Sequence, residues 1–105
     1  MTEAEQPGGA EAAAPLVTIR RVCTICNERG LHARAAARFV KMAGQFEAEV
    51  RVRKNGTEVS GRSIMGLMML AAAPGTTLEL SATGRQAAEA LAALANLIDC
   101  KFDET

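Results

Sequence analysis

The sequence predicts an α+β fold, an open-faced β-sandwich in which a four-stranded antiparallel sheet carries three helices on one face, in the order β-α-β-β-α-β-α. Segments with alternating apolar and polar residues are interleaved with segments of helical periodicity. Half-polar strands favour an antiparallel sheet with one solvated face, and helices then cover the other face. A length of 105 residues fits one domain. With no Trp, no Tyr and three Phe, the core is expected to consist of Ala, Leu, Val, Ile and Met.

The first fourteen residues lie outside this pattern. They contain a Gly-Gly pair, a Pro and three Glu, a composition that favours disorder because it offers little apolar surface to bury. We expect a disordered tail over residues 1–14 and a folded domain over residues 15–105. Without the three acidic residues of the tail, the rest of this neutral chain has a net charge of +3. So small a charge, with few aromatic residues to stack on bases, gives no reason to expect a nucleic-acid partner.

Membrane signals and paired cysteines are both missing from the sequence pattern. No apolar run approaches the roughly 20 residues of a membrane span, and the start has no secretory pattern, so we expect a cytoplasmic protein without a membrane partner. Cys23, Cys26 and Cys100 are an odd number and are expected to stay reduced. Cys23 and Cys26 form a CxxC pattern, but strand residues three apart point to opposite faces. The sequence therefore predicts no metal site, and metal analysis of the purified protein would test the thiol or zinc alternative.

A strand and a helix open the domain. Polar and apolar residues alternate over 17–26, with Arg21 interrupting the inward-facing set. A loop over 27–30 follows, because Asn and Gly tolerate the backbone angles of a sharp change of direction. Residues 33–43 then have helical spacing, and Gly44 is placed to end the helix. The expected inward residues are Val17, Ile19, Cys23, Ile25, Ala36, Phe39, Val40 and Ala43.

Turn and capping signals divide the rest of the chain. Asn55-Gly56 is a pair favoured in tight hairpin turns, Pro74-Gly75 marks a second turn, and Ser63 can cap a helix. The elements predicted between these signals are strands over 46–52, 57–60 and 76–82 and helices over 64–70 and 85–100. The expected inward residues are Phe46, Ala48, Val50, Val52, Leu78, Leu80, Ala87, Leu91, Leu94 and Ile98.

His32 is the only histidine, and it stands where the loop ending at Gly30 meets the first helix. The N–H groups of the first helical turn have no helical partner, and the helix dipole adds positive potential. A phosphate carried on the ring would be stabilised by the N–H groups of Ala33, Arg34 and Ala35 and by the Arg34 guanidinium. A helix-capping or solvated histidine is the alternative, and the spacing alone does not exclude it.

His32 lies in the segment Gly30-Leu31-His32-Ala33-Arg34, which is followed by Ala36, Phe39 and Val40. This segment resembles the active site of the histidine phosphocarrier (HPr) family. Further landmarks of that family occur in order over residues 17–102, namely Phe46, Asn55-Gly56, Ser63-Ile64-Met65-Gly66-Leu67, Gly75-Thr76 and Gly84. The resemblance implies phosphorylation of Nδ1 of His32 by enzyme I and onward transfer to an enzyme IIA protein of a phosphoenolpyruvate-dependent phosphotransferase system.

The resemblance also defines what kind of protein to expect. It implies a monomeric carrier that forms a transient phosphohistidine and needs no cofactor. Such a carrier is not an enzyme that acts on a small molecule. His32 and Arg34 would be the residues that take part in the chemistry. One departure is Ala35, where many relatives carry proline, and alanine adds a backbone donor. The alternative is the nitrogen-related (NPr) branch, in which the phosphorylation state of the carrier regulates target proteins without feeding a sugar transporter.

Two further functions are predicted at the second helix. Ser63 is expected to cap it, and in relatives with a similar Ser-Ile-Met-Gly stretch this serine is phosphorylated by HPr kinase/phosphorylase; the two roles are compatible. With Leu67 and Leu70 inward, the rest of this apolar helix faces solvent as a docking patch, the alternative being a Met-rich core segment. The residues predicted for partner docking are Ile64, Met65, Met68 and Met69, with Arg38 and Lys41 attracting acidic partner surfaces.

Overall fold

In residues 17–104, four strands and three helices follow one another in the predicted order. The structure is a computed structural model that describes residues 17–104. The elements are β1 (Thr18–Thr24), α1 (Ala33–Ala43), β2 (Glu49–Lys54), β3 (Thr57–Ser60), α2 (Ile64–Met69), β4 (Thr77–Thr83) and α3 (Ala87–Asp99), followed by a short 3-10 turn (Lys101–Asp103). The tail predicted to be disordered, residues 1–14, lies outside the described residues.

The strands form one antiparallel sheet in the order β1-β4-β2-β3. β4 pairs with both β1 and β2, so Leu78, Leu80 and Ala82 on its inner side are buried while Glu79 and Ser81 alternate with them. This alternation follows from the two-residue period of a strand with one covered face. The fold class and the antiparallel sheet predicted from the sequence are confirmed.

The helices cover the inner face of this sheet. α3 packs against β1 and β4, and α1 packs between α2 and α3. Alanine makes up half of the buried helix residues, which lets the helices approach their neighbours closely, and Phe, Leu and Ile side chains make up the other half. The buried helix residues are Ala35, Ala36, Phe39 and Ala43 on α1, Leu67 on α2, and Ala87, Ala90, Leu91, Leu94, Ala95, Leu97 and Ile98 on α3. None of the helices in residues 17–104 is long and apolar enough to cross a membrane.

The strand predicted to start at Phe46 begins three residues later, at Glu49. Before it, the backbone N–H of Glu47 donates to Oε1 of Gln86 at 2.8 Å, and the N–H of Gln86 donates to the carbonyl of Glu47 at 3.0 Å. These bonds take the place of a strand ladder at this point. Gly84 lies so near the same segment that a Cβ would fall 2.8 Å from the Glu47 carbonyl oxygen, which explains the glycine.

The first strand is also shorter than predicted. It starts at Thr18, and Val17, which was expected to face inward, is 56% exposed because it precedes the sheet. Cys23 and Ile25 are buried as predicted, whereas Ile19 is only half-buried. The burial at this edge strand is therefore concentrated at its carboxyl end, next to the loop that carries His32.

Truncating Leu80 to Ala is expected to lower the free energy of unfolding by about 2–5 kcal/mol, because this side chain is fully buried on an inner strand. Val22→Ala is the matched control on the outer face of β1, where the side chain is exposed, and should change stability by roughly 0.5 kcal/mol or less. Urea denaturation of both variants measures the difference. Equal losses in the free energy of unfolding would contradict the assignment of Leu80 to the covered face of the sheet and Val22 to the exposed face.

Candidate functional site

His32 occupies the residue that opens α1. Its backbone is extended, with φ −78° and ψ −179°, and its carbonyl accepts the N–H of Ala36 at 2.8 Å. Ala36 is thus the first residue bonded into the helix, and the preceding N–H groups, of Ala33, Arg34 and Ala35, have no helical acceptor. The His32 side chain makes no capping hydrogen bond, and the first turn contains no acidic residue. The imidazole is therefore not a capping group, and it lies at the positive end of α1.

The loop that carries His32 is held by backbone contacts. Gly30 has φ +67°, and a Cβ on it would lie 2.6 Å from the carbonyl oxygen of Ala72. That same carbonyl accepts the N–H of Leu31 at 2.9 Å. Only glycine combines this backbone conformation with so close an approach. The loop is tied in this way to the segment that follows α2.

Three arginines surround the ring. Arg29, Arg34 and Arg38 line, together with His32, a shallow cavity of about 110 Å³. Arg34 is exposed beside the helix start, as expected for a group that meets an incoming anion. Arg38, predicted for docking, is half-buried and donates a hydrogen bond to the carbonyl of Phe102. The basic residues and the helix start make this cavity suited to an anion such as a phosphoryl group.

Glu104 also reaches this cavity, and the sequence analysis missed it. Its Oε2 lies 2.9 Å from Nε2 of His32, and the two side chains are each 18% exposed. The Asn27 side-chain amide lies 3.4 Å from both carboxylate oxygens. Within residues 17–104, Nε2 is the only ring nitrogen of His32 that has a hydrogen-bond partner. A separation of 72 residues leaves no local spacing that would have indicated this pair.

The carboxyl of Glu104 has a shifted pKa. Desolvation would raise the pKa, but hydrogen bonds from His32 and Asn27, the nearby backbone N–H of Arg29 and the charge of the imidazole hold it below its ordinary value. The group is therefore a carboxylate at neutral pH, and a carboxylate only accepts hydrogen bonds.

The second predicted region, α2, lies next to the histidine loop. An open hollow of about 240 Å³ runs from His32 to Ala71, Ala72 and Ala73, the residues that follow α2. Ser63 caps the helix as predicted, with its Oγ accepting the N–H of Gly66 at 2.9 Å. Leu67 and Leu70 are buried, whereas the residues predicted for docking are all at least 41% exposed, namely Ile64, Met65, Met68 and Met69. Lys41 is exposed at the end of α1.

The three cysteines are free thiols with different surroundings. Cys23 is buried, and burial raises the pKa of its thiol. The group therefore stays protonated, which is the unreactive form of cysteine. Cys26 and Cys100 are exposed, and the Cys26 thiol donates to the carbonyl of Ile98 at 3.4 Å. In the part of the chain that the structure describes, no group of three or more His, Cys, Asp or Glu side chains is placed to hold a metal.

Comparison with known proteins identifies relatives of this fold and site. Residues 19–99 match the family described as the PTS HPr component phosphorylation site. Phosphocarrier protein HPr of Neisseria meningitidis serogroup A is 51% identical over 86 residues, which cover 82% of this chain and 97% of that protein. Phosphocarrier protein NPr of Escherichia coli K12 is 40% identical over 89 residues, covering 84% of this chain and 99% of that protein.

Solved structures agree with the sequence comparison. The crystal structure of HPr-C-His from Thermoanaerobacter tengcongensis has a TM-score of 0.74 and 42% identity, covering 88% of this chain and 99% of that chain. A structure described as an HPr dimer from the same bacterium has a TM-score of 0.66 and 45% identity, covering 76% of this chain and 92% of that chain.

The shifted pKa of Glu104 predicts a pH-dependent stability. A carboxyl whose pKa is lower in the folded state stabilises the fold above its ordinary value, 4.5, and this contribution is lost as the pH falls through the folded value. Glu104→Gln should therefore unfold more easily than the parent protein at about pH 7, and the difference should vanish once the pH has fallen below the folded pKa of Glu104. Urea denaturation midpoints of both proteins, measured from neutral to acid pH, test this prediction.

Glu28→Gln is the matched control, since Glu28 is an exposed carboxyl in the loop over 27–30, outside the first turn of any helix. The stability of this control relative to the parent protein should not show the pH dependence expected for Glu104→Gln. A constant difference between Glu104→Gln and the parent protein at every pH would contradict the expected contribution of the carboxylate.

Proposed function

This chain belongs to the HPr family of phosphocarrier proteins, and on that basis we propose that it accepts a phosphoryl group from enzyme I on Nδ1 of His32 and passes it to an enzyme IIA protein. The observation that carries the proposal is the position of His32 at the start of α1, beside three N–H groups without helical acceptors. Nε2 is engaged by Glu104, so Nδ1 is the nitrogen available for the phosphoryl group.

The transfer itself would be an in-line displacement. The Nδ1 lone pair attacks the phosphorus of a phosphohistidine on enzyme I, the new N–P bond forms, and the N–P bond to the donor histidine breaks. The second step repeats this displacement with phospho-His32 as donor and a histidine of enzyme IIA as acceptor. Arg34 and the N–H groups of Ala33, Arg34 and Ala35 would stabilise the charge of the moving group. The partners supply the remaining catalytic groups, which is why the carrier is not an enzyme on its own.

Ala35 gives this site one donor that a proline would lack. Its side chain is fully buried against the core, so the methyl group anchors the first turn while the N–H is directed along the helix start. This arrangement supports an additional hydrogen bond to the phosphoryl group compared with relatives that carry proline.

The docking surface would combine α2 with the exposed side of α1. Methionine side chains adapt to different partner shapes, which suits a carrier that must bind a donor and an acceptor in turn. The hollow that His32 lines extends to Ala71, Ala72 and Ala73, the residues directly after α2, so the proposed docking surface would lie next to the site. Arg38 and Lys41 would increase the rate of association with acidic partners. The docking residues are Ile64, Met65, Met68 and Met69.

Ser63 would provide regulation at the same surface. Phosphorylation by HPr kinase/phosphorylase adds negative charge at the start of α2, where the helix dipole tolerates it. The added charge would lie beside the apolar docking residues and weaken binding of enzyme I. We further propose that the carrier is monomeric and works in the cytoplasm, with the dimeric structural relative marking the alternative assembly.

The nitrogen-related branch is the second candidate function, supported by the similarity to phosphocarrier protein NPr. In this branch the phosphorylation state would control target proteins without sugar transport. Identity is higher to the HPr relative, 51% against 40%, which favours the first candidate. Co-purification with a sugar permease component rather than a regulatory enzyme IIA distinguishes them.

Labelling with phosphoenolpyruvate tests the acceptor residue. Incubation with enzyme I and labelled phosphoenolpyruvate should give an acid-labile label on the parent protein, because an N–P bond hydrolyses in acid. His32→Ala should carry no label, and Ser63→Ala should be labelled like the parent protein. Acid-stable label, or label retained in His32→Ala, would refute His32 as the acceptor.

Charge substitutions test the docking surface. Met65→Asp and Met69→Asp should slow phosphorylation by enzyme I by about tenfold, mainly through a higher KM, because a charge replaces the apolar contact. Val22→Asp is the control, since it places the same charge on the exposed outer face of the sheet. Steady-state rates at varied carrier concentration measure both. Similar KM values for all three variants would place docking elsewhere.

A further inference from the structure

We propose that Glu104 is a positioning residue for phosphoryl acceptance, holding the His32 imidazole in the tautomer that carries its proton on Nε2 and leaves the Nδ1 lone pair free. This inference rests on the proposed function of His32. It assigns a role to a side chain of the carboxyl-terminal segment, outside the loop and helix that carry the histidine.

The geometry of the pair fixes the direction of the hydrogen bond. Nε2 of His32 and Oε2 of Glu104 are 2.9 Å apart. An ionised carboxylate has no proton to donate, so the imidazole must be the donor. In a neutral imidazole only one nitrogen is protonated, and donation from Nε2 leaves Nδ1 as the nitrogen with the lone pair. The carboxylate therefore selects the nucleophilic atom.

Asn27 holds the carboxylate in place from the other side. It is fully buried, and its amide nitrogen donates to the carbonyl of Gly30 at 2.8 Å while lying 3.4 Å from both oxygens of Glu104. One side chain thus connects the histidine loop to the carboxylate that orients the ring. A nucleophile whose orientation is fixed by a second group, itself fixed by a third, is a recurrent arrangement in active sites.

The backbone before Glu104 forms a strained left-handed turn, and this turn brings the carboxylate to the ring. Lys101, Phe102 and Asp103 have φ of +58°, +55° and +56°, a left-handed conformation that is costly for residues other than glycine. Burial of Phe102 and the hydrogen bond from Arg38 to its carbonyl hold this turn. The turn reverses the chain after α3 and directs it back to the start of α1.

The same hydrogen bond fits the phosphorylated state. When Nδ1 bonds to phosphorus, the proton on Nε2 stays where it is and the ring gains positive charge. Glu104 then faces a better donor than before and offsets this charge, so neither proton transfer nor ring rotation is required. Arg29, Arg34 and Arg38 line the same cavity as His32 and Glu104, so positive charge is available to the phosphoryl group there.

Nuclear magnetic resonance of the ring tests the proposal directly. Because His32 is the only histidine, long-range ¹H–¹⁵N spectra report its tautomer without ambiguity. At about pH 8.5, where an ordinary imidazole is neutral, the parent protein should have its proton on Nε2. Glu104→Gln should show a second population with the proton on Nδ1, because an amide can present either a donor or an acceptor to Nε2. Asp99→Asn is the matched control, since Asp99 is an exposed carboxylate at the end of α3 that lies outside the cavity of His32.

Phosphorylation kinetics with enzyme I supply the second measurement. Glu104→Gln should lower kcat about tenfold, the effect of losing one charge-assisted hydrogen bond, with KM within about twofold because the docking surface is untouched. Asp99→Asn should match the parent protein. An unchanged tautomer together with an unchanged kcat, a change confined to KM, or a faster reaction of Glu104→Gln would overturn the positioning role.

The two proposals fail in different ways. If His32→Ala still accepts the label, the acceptor assignment is wrong and the role of Glu104 falls with it. If the parent protein is labelled on His32 while Glu104→Gln has the parent's tautomer and kcat, only the positioning role is wrong.

Discussion

The hydrogen bond from the N–H of Leu31 to the carbonyl of Ala72, 2.9 Å long, connects the two regions for which we propose functions, the His32 loop and α2. It fixes the loop before His32 against the segment after α2, and the close approach requires glycine at position 30. The N–H of Ile25 donates to the carbonyl of Thr76, and the carbonyl of Ile25 accepts the N–H of Gly75. These two bonds extend the same connection to the start of β4. The ring of the proposed acceptor, His32, and the apolar helix α2 are therefore held in a fixed relation, which suits a carrier that would present both to its partners.

The charges around the ring are arranged in two groups. The helix start and the arginines at positions 29, 34 and 38 provide positive potential for an anion, whereas Glu104 contacts only the far nitrogen of the ring. A carboxylate near a phosphate site would ordinarily weaken binding through repulsion. In the proposed role, its hydrogen bond to Nε2 makes it a partner of the ring, so that the arginines would bind the phosphoryl group while the carboxylate orients the imidazole.

Sequence reasoning succeeded where the signal is local. The limits of α1, the cap at Ser63 and the inward position of Leu67 follow from spacing and capping rules that operate within a few residues. It was wrong where long-range contacts compete with local preference. Phe46 alternates like a strand residue, yet the neighbouring backbone bonds to Gln86, and Val17 continues an apolar pattern beyond the end of the sheet.

The sequence by itself determined the fold class and the identity of the candidate acceptor, because alternation, helical periodicity and one histidine at a helix start are properties of neighbouring residues. Only the tertiary structure decided what faces that histidine. Glu104 and His32 are 72 residues apart, and the left-handed turn that joins them contains no glycine and so has no signature in the sequence. Such a contact depends on the burial of Phe102 and the position of Arg38, which exist only once the whole chain has packed.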